Sequence, residues 1–287
     1  MRRRMTRRFL VRAVGPAVVL LGVLGVAGAQ RPAAQSPPTE PGRFLWHDLM
    51  SRDVAAAKRF YGSLLGWRFE DTRRGDRPYV VATLAGTPVA GIVDVTAIDG
   101  AVPQWLSFMS VSDLDQSLSL VRSEGGKVLV EPRELERFGR AAVVADAQGA
   151  PIGFAQLRAD RPESPQSAGR FFWMEYLARD ASQALQFYKR LAGYDSRISD
   201  SRLNVEYHVL SRSRPRAGLF QLPETVAGVE PNWLPYMLVE DTASLASRAA
   251  QLGGRVVVPV SPDRRNGSLA VVADAEGAVL ALQKYPF

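Results

Sequence analysis

GRFLWHDLMSRDVAAAKRFYGSLLGW at residues 42–67 returns as GRFFWMEYLARDASQALQFYKRLAGY at residues 169–194, without a gap and at a spacing of 127. The two stretches align Phe44 with Phe171, Trp46 with Trp173, Asp53 with Asp180, Phe60-Tyr61 with Phe187-Tyr188 and Gly66 with Gly193. Downstream the likeness continues at a spacing of 128. It pairs Trp105-Leu106 with Trp233-Leu234, Gly125-Gly126 with Gly253-Gly254, and AVVADAQGA at 142–150 with AVVADAEGA at 270–278. Self-similarity over this length marks a tandem duplication. RADRPESPQSAG, residues 158–169, concentrates Pro, Ser and charge and marks the seam between the copies.

Each copy has a shorter rhythm inside it. Residues 44–50 read as a strand, Asp53 as a helix N-cap, and Ala57, Phe60, Tyr61, Leu64 and Leu65 recur at helical spacing before a stop at Gly66. Short β-like runs follow at 67–71, 79–84 and 89–95, separated by Gly75, Gly86 and Pro88. The order then restarts with a strand at 105–111, a cap at Asp113 and a helix to Glu124. Gly125-Gly126 stops that helix, and strands are expected at 127–130, 141–145 and 152–157. The pattern predicts two βαβββ modules per copy and four in the chain.

Three strings in this order carry a family likeness: D-x-x-x-A-x-x-FY-x-x-x-x-G through the first helix, GG before the sixth strand, and A-V-V-x-D-x-x-G-A before the last. With them the chain resembles the vicinal oxygen chelate superfamily, which includes glyoxalase I, extradiol dioxygenases and bleomycin-resistance proteins. The likeness runs over nearly all of residues 43–287. It implies an α+β fold in which four βαβββ modules form two glyoxalase-like domains with curled mixed sheets, each with a ligand on its concave face. Fold alone does not fix function.

The resemblance also implies a divalent metal held by His, Glu or Gln on the inner faces of three strands. Its first ligand would fall at Trp46 and Trp173, its second at Leu106 and Leu234, and its third at Gly153 and Ala281. None of the six can ligate, so no metal and no other cofactor is expected. His47 lies one residue from the first position, but strand alternation turns it to the other face, and its counterpart is Met174.

Two residues beyond each Trp, on the same face, stand Asp48 and Glu175, and the fourth strands contribute Asp94 and Gln221. Trp46, Asp48, Asp94, Trp173, Glu175 and Gln221 are therefore the candidate ligand-binding residues. An aromatic wall with a few polar groups suits a small aromatic or cationic molecule. The alternative is that the tryptophans fill the hollows as core, with the carboxylates tied to backbone N–H groups or to an arginine.

Other chemistry has less support. The chain has only His47 and His208, and no G-x-S-x-G string, so Ser-His-Asp hydrolysis is not indicated. His208 reads as a partly exposed strand residue. Arg212, Arg214 and Arg216 alternate along a strand and could meet an anionic ligand or guard a sheet edge. Asp53, Asp113, Asp180 and Asp241 read as helix caps.

Among 287 residues the formal charge is +7, but Arg2, Arg3, Arg4, Arg7, Arg8 and Arg12 crowd the first dozen. Without those six, 30 Lys and Arg face 29 Asp and Glu, so no basic surface for nucleic acid remains. The arginines precede an apolar run at 13–28 and a small-x-small site before Gln30, which reads as a signal peptide over residues 1–29. Thr6-Arg7-Arg8-Phe9-Leu10 fits the twin-arginine export pattern; an ordinary Arg-rich leader is the alternative. Residues 30–42 read as a flexible linker, 43–158 as the first domain, 159–169 as a linker and 170–287 as the second domain.

The expected product is an exported, periplasmic or extracellular protein with no stable membrane insertion after cleavage. A monomer is expected, because one chain already supplies paired modules. With no Cys anywhere, its stability rests on packing. The favoured reading is a metal-free hollow that binds a small molecule. A metal-dependent lyase or dioxygenase, with acid–base work by Asp48 or Glu175, is the first alternative, and a ligand-less scaffold is the second.

Overall fold

The computed structural model describes residues 39–284, except 76, 136–138, 161–162, 164–165, 200–205, 225 and 227. The leader reading at 1–29 and most of the 30–42 linker lie outside the described residues. No helix among the described residues is long and apolar enough to cross a membrane.

In the first copy, β1 (Phe44–Ser51) leads into α1 (Val54–Leu65), then β2 (Arg68–Arg74), β3 (Arg77–Leu84) and β4 (Thr87–Asp94). The second module runs β5 (Gln104–Ser110), α2 (Leu114–Ser123), β6 (Lys127–Glu134), β7 (Gly139–Ala145) and β8 (Pro151–Leu157). The second copy repeats this with β9 (Phe171–Ala178), α3 (Ala181–Ala192), β10 (Asp195–Ser199), β11 (Tyr207–Arg212) and β12 (Arg214–Gln221). It closes with β13 (Asn232–Val239), α4 (Thr242–Gln251), β14 (Arg255–Val258), a short 3-10 turn at Arg265–Gly267, β15 (Leu269–Ala273) and β16 (Val279–Lys284). The four βαβββ modules are present in the expected order.

All four predicted caps form. The carboxylates of Asp53, Asp113, Asp180 and Asp241 accept from the backbone N–H three residues on, at 2.8, 2.9, 2.9 and 3.0 Å. α1 and α3 end on left-handed Gly66 and Gly193.

Each copy builds one open eight-stranded mixed sheet, in the orders β2-β3-β4-β1-β5-β8-β7-β6 and β10-β11-β12-β9-β13-β16-β15-β14. The first strands of the two modules, β1 with β5 and β9 with β13, pair antiparallel at the centre, so modules of one copy share a sheet. Residues on one face of each sheet stay within their own domain: Met50, Tyr79, Leu106 and Phe108 in the first, Leu234, Tyr236, Leu269 and Ala281 in the second. Residues on the other face join two cores that both domains build together. The sheets thus pack back to back, with helix and strand residues of both copies filling the shared cores.

Two matched locks hold this seam. Tyr61 of α1 donates to Asp274 at 3.0 Å and receives the Trp105 indole N–H at 3.2 Å. Tyr188 of α3 donates to Asp146 at 2.7 Å and receives the Trp233 N–H at 2.8 Å. The Asp of the repeated A-V-V-x-D string therefore binds the Tyr of the repeated Phe-Tyr string in the opposite copy. Burial, then the facing carboxylate, pushes both phenols well above their ordinary range, so each stays a neutral donor.

The seated chain starts before Arg43. Thr39 is buried, Gly42 donates to the Ser110 carbonyl at 2.9 Å, and Tyr194 donates to the Gly42 carbonyl at 2.5 Å. Arg212, Arg214 and Arg216 account for part of this. Glu40 engages Arg212 and Arg216, while Glu163 of the inter-domain linker engages Arg214, Arg216 and Arg43. These arginines clamp the entering chain and the linker.

Candidate functional site

Alternation along β1 points Trp46, Asp48 and Met50 into the first hollow. Asp48 is fully buried and accepts from the Trp46 indole at 2.9 Å, the Tyr79 hydroxyl at 2.7 Å and the Arg74 guanidinium at 2.9 Å. The Arg74 guanidinium also lies over the Tyr79 ring, 3.4 Å from its centre. In the second hollow Glu175 accepts from the Tyr207 hydroxyl at 2.7 Å, and also from the Tyr236 hydroxyl and the Arg265 guanidinium. Trp173 donates to the Tyr207 oxygen at 3.2 Å. Burial and then the charge of the adjacent carboxylate raise the pKa of Tyr79, Tyr207 and Tyr236, which keeps all three as donors.

An indole, a carboxylate, a phenol and a guanidinium thus meet twice. Trp46 and Trp173 are half-buried, while both carboxylates are buried. The structure brings these four sequence candidates into two clusters. Asp94 and Gln221 are not in them. The residues that face the carboxylates across the parallel β1–β4 and β9–β12 pairs are Gly91 and Gly218. Three residues further along, alternation has turned the side chain to the other face.

Asp94 is exposed and accepts from the backbone N–H and hydroxyl of Thr96 at 2.8 and 2.6 Å. It borders a cleft of about 200 Å3 shared with Arg74, Arg77 and Tyr79. Gln221 accepts from the Ala181 N–H at the start of α3, at 3.3 Å.

The two glycines are there because the phenols need their space. A Cβ on Gly91 would come within 1.7 Å of the Tyr79 oxygen and 2.2 Å of the Asp48 Oδ1, and one on Gly218 within 2.0 Å of the Tyr207 oxygen. Gly91→Ala is expected to lower stability by about 1–3 kcal/mol through overpacking, measured by urea unfolding. A neutral result would mean that Tyr79 can leave Asp48 freely.

His47 faces away from the hollow, toward the seam. Its Nδ1 lies 2.8 Å from the Ser107 hydroxyl, and its ring is centred 4.0 Å from that of Phe171. Burial pushes this imidazole down to about 3, whereas an unfolded histidine titrates near ~6.5. Between those values the unfolded chain takes up a proton that the folded chain refuses. His47 therefore removes stability as pH falls, by about 1.4 kcal/mol per pH unit. His47→Met, which installs the second copy's residue, is expected to flatten the loss between about pH 6 and pH 4. Denaturation of both proteins at the two pH values checks this, and an unchanged slope would mean that the ring is hydrated. His208 is 8% exposed, more buried than its strand pattern suggested, with Nε2 2.9 Å from Glu206.

The donor set does not fit the metal that the fold family implies. All six corresponding positions lie in or against the hollows' apolar packing: Trp46 and Leu106 line the first, Trp173, Leu234 and Ala281 line the second, and a Cβ on Gly153 would meet the Phe108 ring at 2.0 Å. The carboxylate at the centre of each cluster is a single ligand, already paired with a guanidinium, whereas a bound divalent metal needs three or more protein ligands. No three His, Asp or Glu side chains among the described residues gather around one point.

Tyr79, Tyr207, Tyr236, Arg74 and Arg265 complete the clusters without having been singled out in the sequence. Tyr79 with Tyr207 and Ala90-Gly91 with Ala217-Gly218 are further repeat matches that carried a signal. The arginines carried none, because Arg74 ends β2 whereas Arg265 lies in the turn before β15.

Residues 43–154 match the family model described as Glyoxalase/Bleomycin resistance protein/Dioxygenase superfamily. The chain is 31% identical over 244 residues to "Putative glyoxylase CFP32" of Mycobacterium tuberculosis, covering 83% of this chain and 93% of that one. It is 29% identical over 272 residues to the anthracycline biosynthesis protein DauV of Streptomyces sp., covering 83% and 91%. Similar folds include the Mn(II)-bound glyoxalase from Novosphingobium aromaticivorans, with TM-score 0.56, 13% identity and coverage of 86% and 83%. They also include a variant homoprotocatechuate 2,3-dioxygenase from B. fuscum, with TM-score 0.59, 13% identity and coverage of 89% and 74%. With its four modules, two open sheets and a relative matched over 93% of its length, this chain belongs to the glyoxalase/bleomycin resistance protein/dioxygenase superfamily.

Proposed function

We propose that the protein is exported and binds a small molecule, without a metal, in a hollow walled by Trp46 or Trp173. The observation that carries this reading is the cluster of indole, carboxylate, phenol and guanidinium built twice, with its arginine drawn from a different part of the fold each time. A half-buried indole offers an apolar face to a planar ligand, and the polar groups beside it can orient one. Asp48 and Glu175 each accept three donors, which leaves little lone-pair capacity for taking a proton from a substrate. Acid–base chemistry by these carboxylates is therefore the weaker reading. DauV is named for anthracycline biosynthesis, and anthracyclines are fused aromatic compounds, a class that an indole wall suits.

The leader at residues 1–29 supports export, and sequencing of the secreted chain should begin at Gln30. For binding, the mature chain is titrated with aromatic compounds while Trp fluorescence is read, and with divalent metals and a chelator while Tm is read. Quenching by an aromatic compound that Trp46→Phe or Trp173→Phe reduces, with a flat metal response, is the expected result. A stoichiometric metal that raises Tm would overturn it in favour of a lyase or dioxygenase. Silence toward every compound would leave a scaffold.

A further inference from the structure

The two hollows differ in how their carboxylate is neutralised. Arg74 ends a strand, and its side chain is 2% exposed. Arg265 sits on a short turn, its side chain is 24% exposed, and it and Asn266 hold left-handed backbone at φ 45° and 53°. Such conformations strain residues other than glycine and collect where a segment has a second arrangement. The turn is tied at its far end, where Lys284 donates to the Ser268 carbonyl and Ser268 Oγ donates to the Arg265 carbonyl.

The second hollow also holds an unsatisfied group. Gln283 of β16 is fully buried, and its Nε2 has no hydrogen-bond partner, while its Oε1 is 3.5 Å from an Arg265 nitrogen. At the repeat spacing of 128 the first copy carries Ala155 there. A buried amide donor without an acceptor costs stability, and a bound acceptor would relieve it.

We propose that the second hollow is the ligand site and that Arg265 is a built-in stand-in for its ligand, a planar aromatic cation with a hydrogen-bond acceptor. The guanidinium lies against Glu175 with its carbon 5.5 and 5.6 Å from the Tyr207 and Tyr236 ring centres, so one cation already occupies an aromatic box. A ligand cation takes that place, its acceptor meets Gln283 Nε2, and the strained turn carries Arg265 outward. The first hollow, with its buried strand-end arginine and Ala155 in place of Gln283, lacks both features. This inference rests on the small-molecule reading above and names its site and ligand class.

The probe is a benzamidinium that carries a 2-hydroxyl group, whose oxygen can accept from Gln283 Nε2, with the neutral 2-hydroxybenzamide as its isostere (benzamidinium and benzamide below), titrated into the full mature chain with Trp fluorescence and Tm as readouts. Benzamidinium is expected to bind the wild-type chain weakly and Arg265→Ala at least about tenfold more tightly, since the internal competitor is gone. Benzamide should bind neither, and Glu175→Gln should not bind benzamidinium. Equal affinity for wild type and Arg265→Ala, or equal binding of benzamide, would overturn the inference. If other aromatic compounds still quench Trp173 in that case, the small-molecule reading survives; if none do, both fail. Should Arg265→Ala not fold, wild type against Glu175→Gln decides alone, because equal Tm shifts with benzamidinium exclude a carboxylate-centred cation site.

Discussion

Arg74→Ala is expected to destabilise the protein by about 3–5 kcal/mol, because it leaves a buried carboxylate without its countercharge. Asp48 is fully buried and Arg74 is 3% exposed, so water cannot replace the lost guanidinium without opening the hollow. The remaining donors, Trp46 and Tyr79, are neutral. Denaturant unfolding of the variant measures the loss. The double replacement Arg74→Met with Asp48→Leu should recover most of it, since exchanging a buried pair for apolar groups of similar size is often neutral. A loss below about 1 kcal/mol in the single variant would mean that the pair is hydrated in solution.

Trp233→Ala is the second large effect, at about 3–5 kcal/mol, from the cavity it opens. The indole is 4% exposed and packs on Phe44 of the other copy and on Tyr176 and Tyr188 of its own, with ring centres 5.0, 5.1 and 5.0 Å away. It also donates to the Tyr188 hydroxyl that holds Asp146 across the seam. Since this core draws residues from both copies, the two domains should lose stability together. Hydrogen exchange should show protection falling in β5 and α2 of the first domain as well as in β13. Loss confined to the second domain would mean that the back-to-back packing is not cooperative.

The fold was legible because its signals are local. Helix caps, αL glycines and apolar periodicity each act within a few residues, and the duplication printed them four times. The part of the candidate site that lies on β1 and β9 was legible for the same reason, since alternation alone assigns Trp46 with Asp48 and Trp173 with Glu175 to one face. Asp94 and Gln221 stand apart from the clusters because of parity: Gly91 and Gly218 are the facing residues, and an odd offset reverses the face. The arginines were illegible because no pattern relates residue 48 to 74 or residue 175 to 265. They meet through the curvature of the sheet and the path of one turn.

The sequence by itself determined four βαβββ modules in two copies, four capped helices and the apolar residues at the six positions where the family would hold a metal, because each depends only on residue type and short spacing. The tertiary structure decided the remainder: back-to-back sheets locked by Tyr61 with Asp274 and Tyr188 with Asp146, and two carboxylates each held by an arginine from a different part of the fold. Burying a charge is unfavourable wherever it occurs, and only the folded chain determines which countercharge is near enough to offset it.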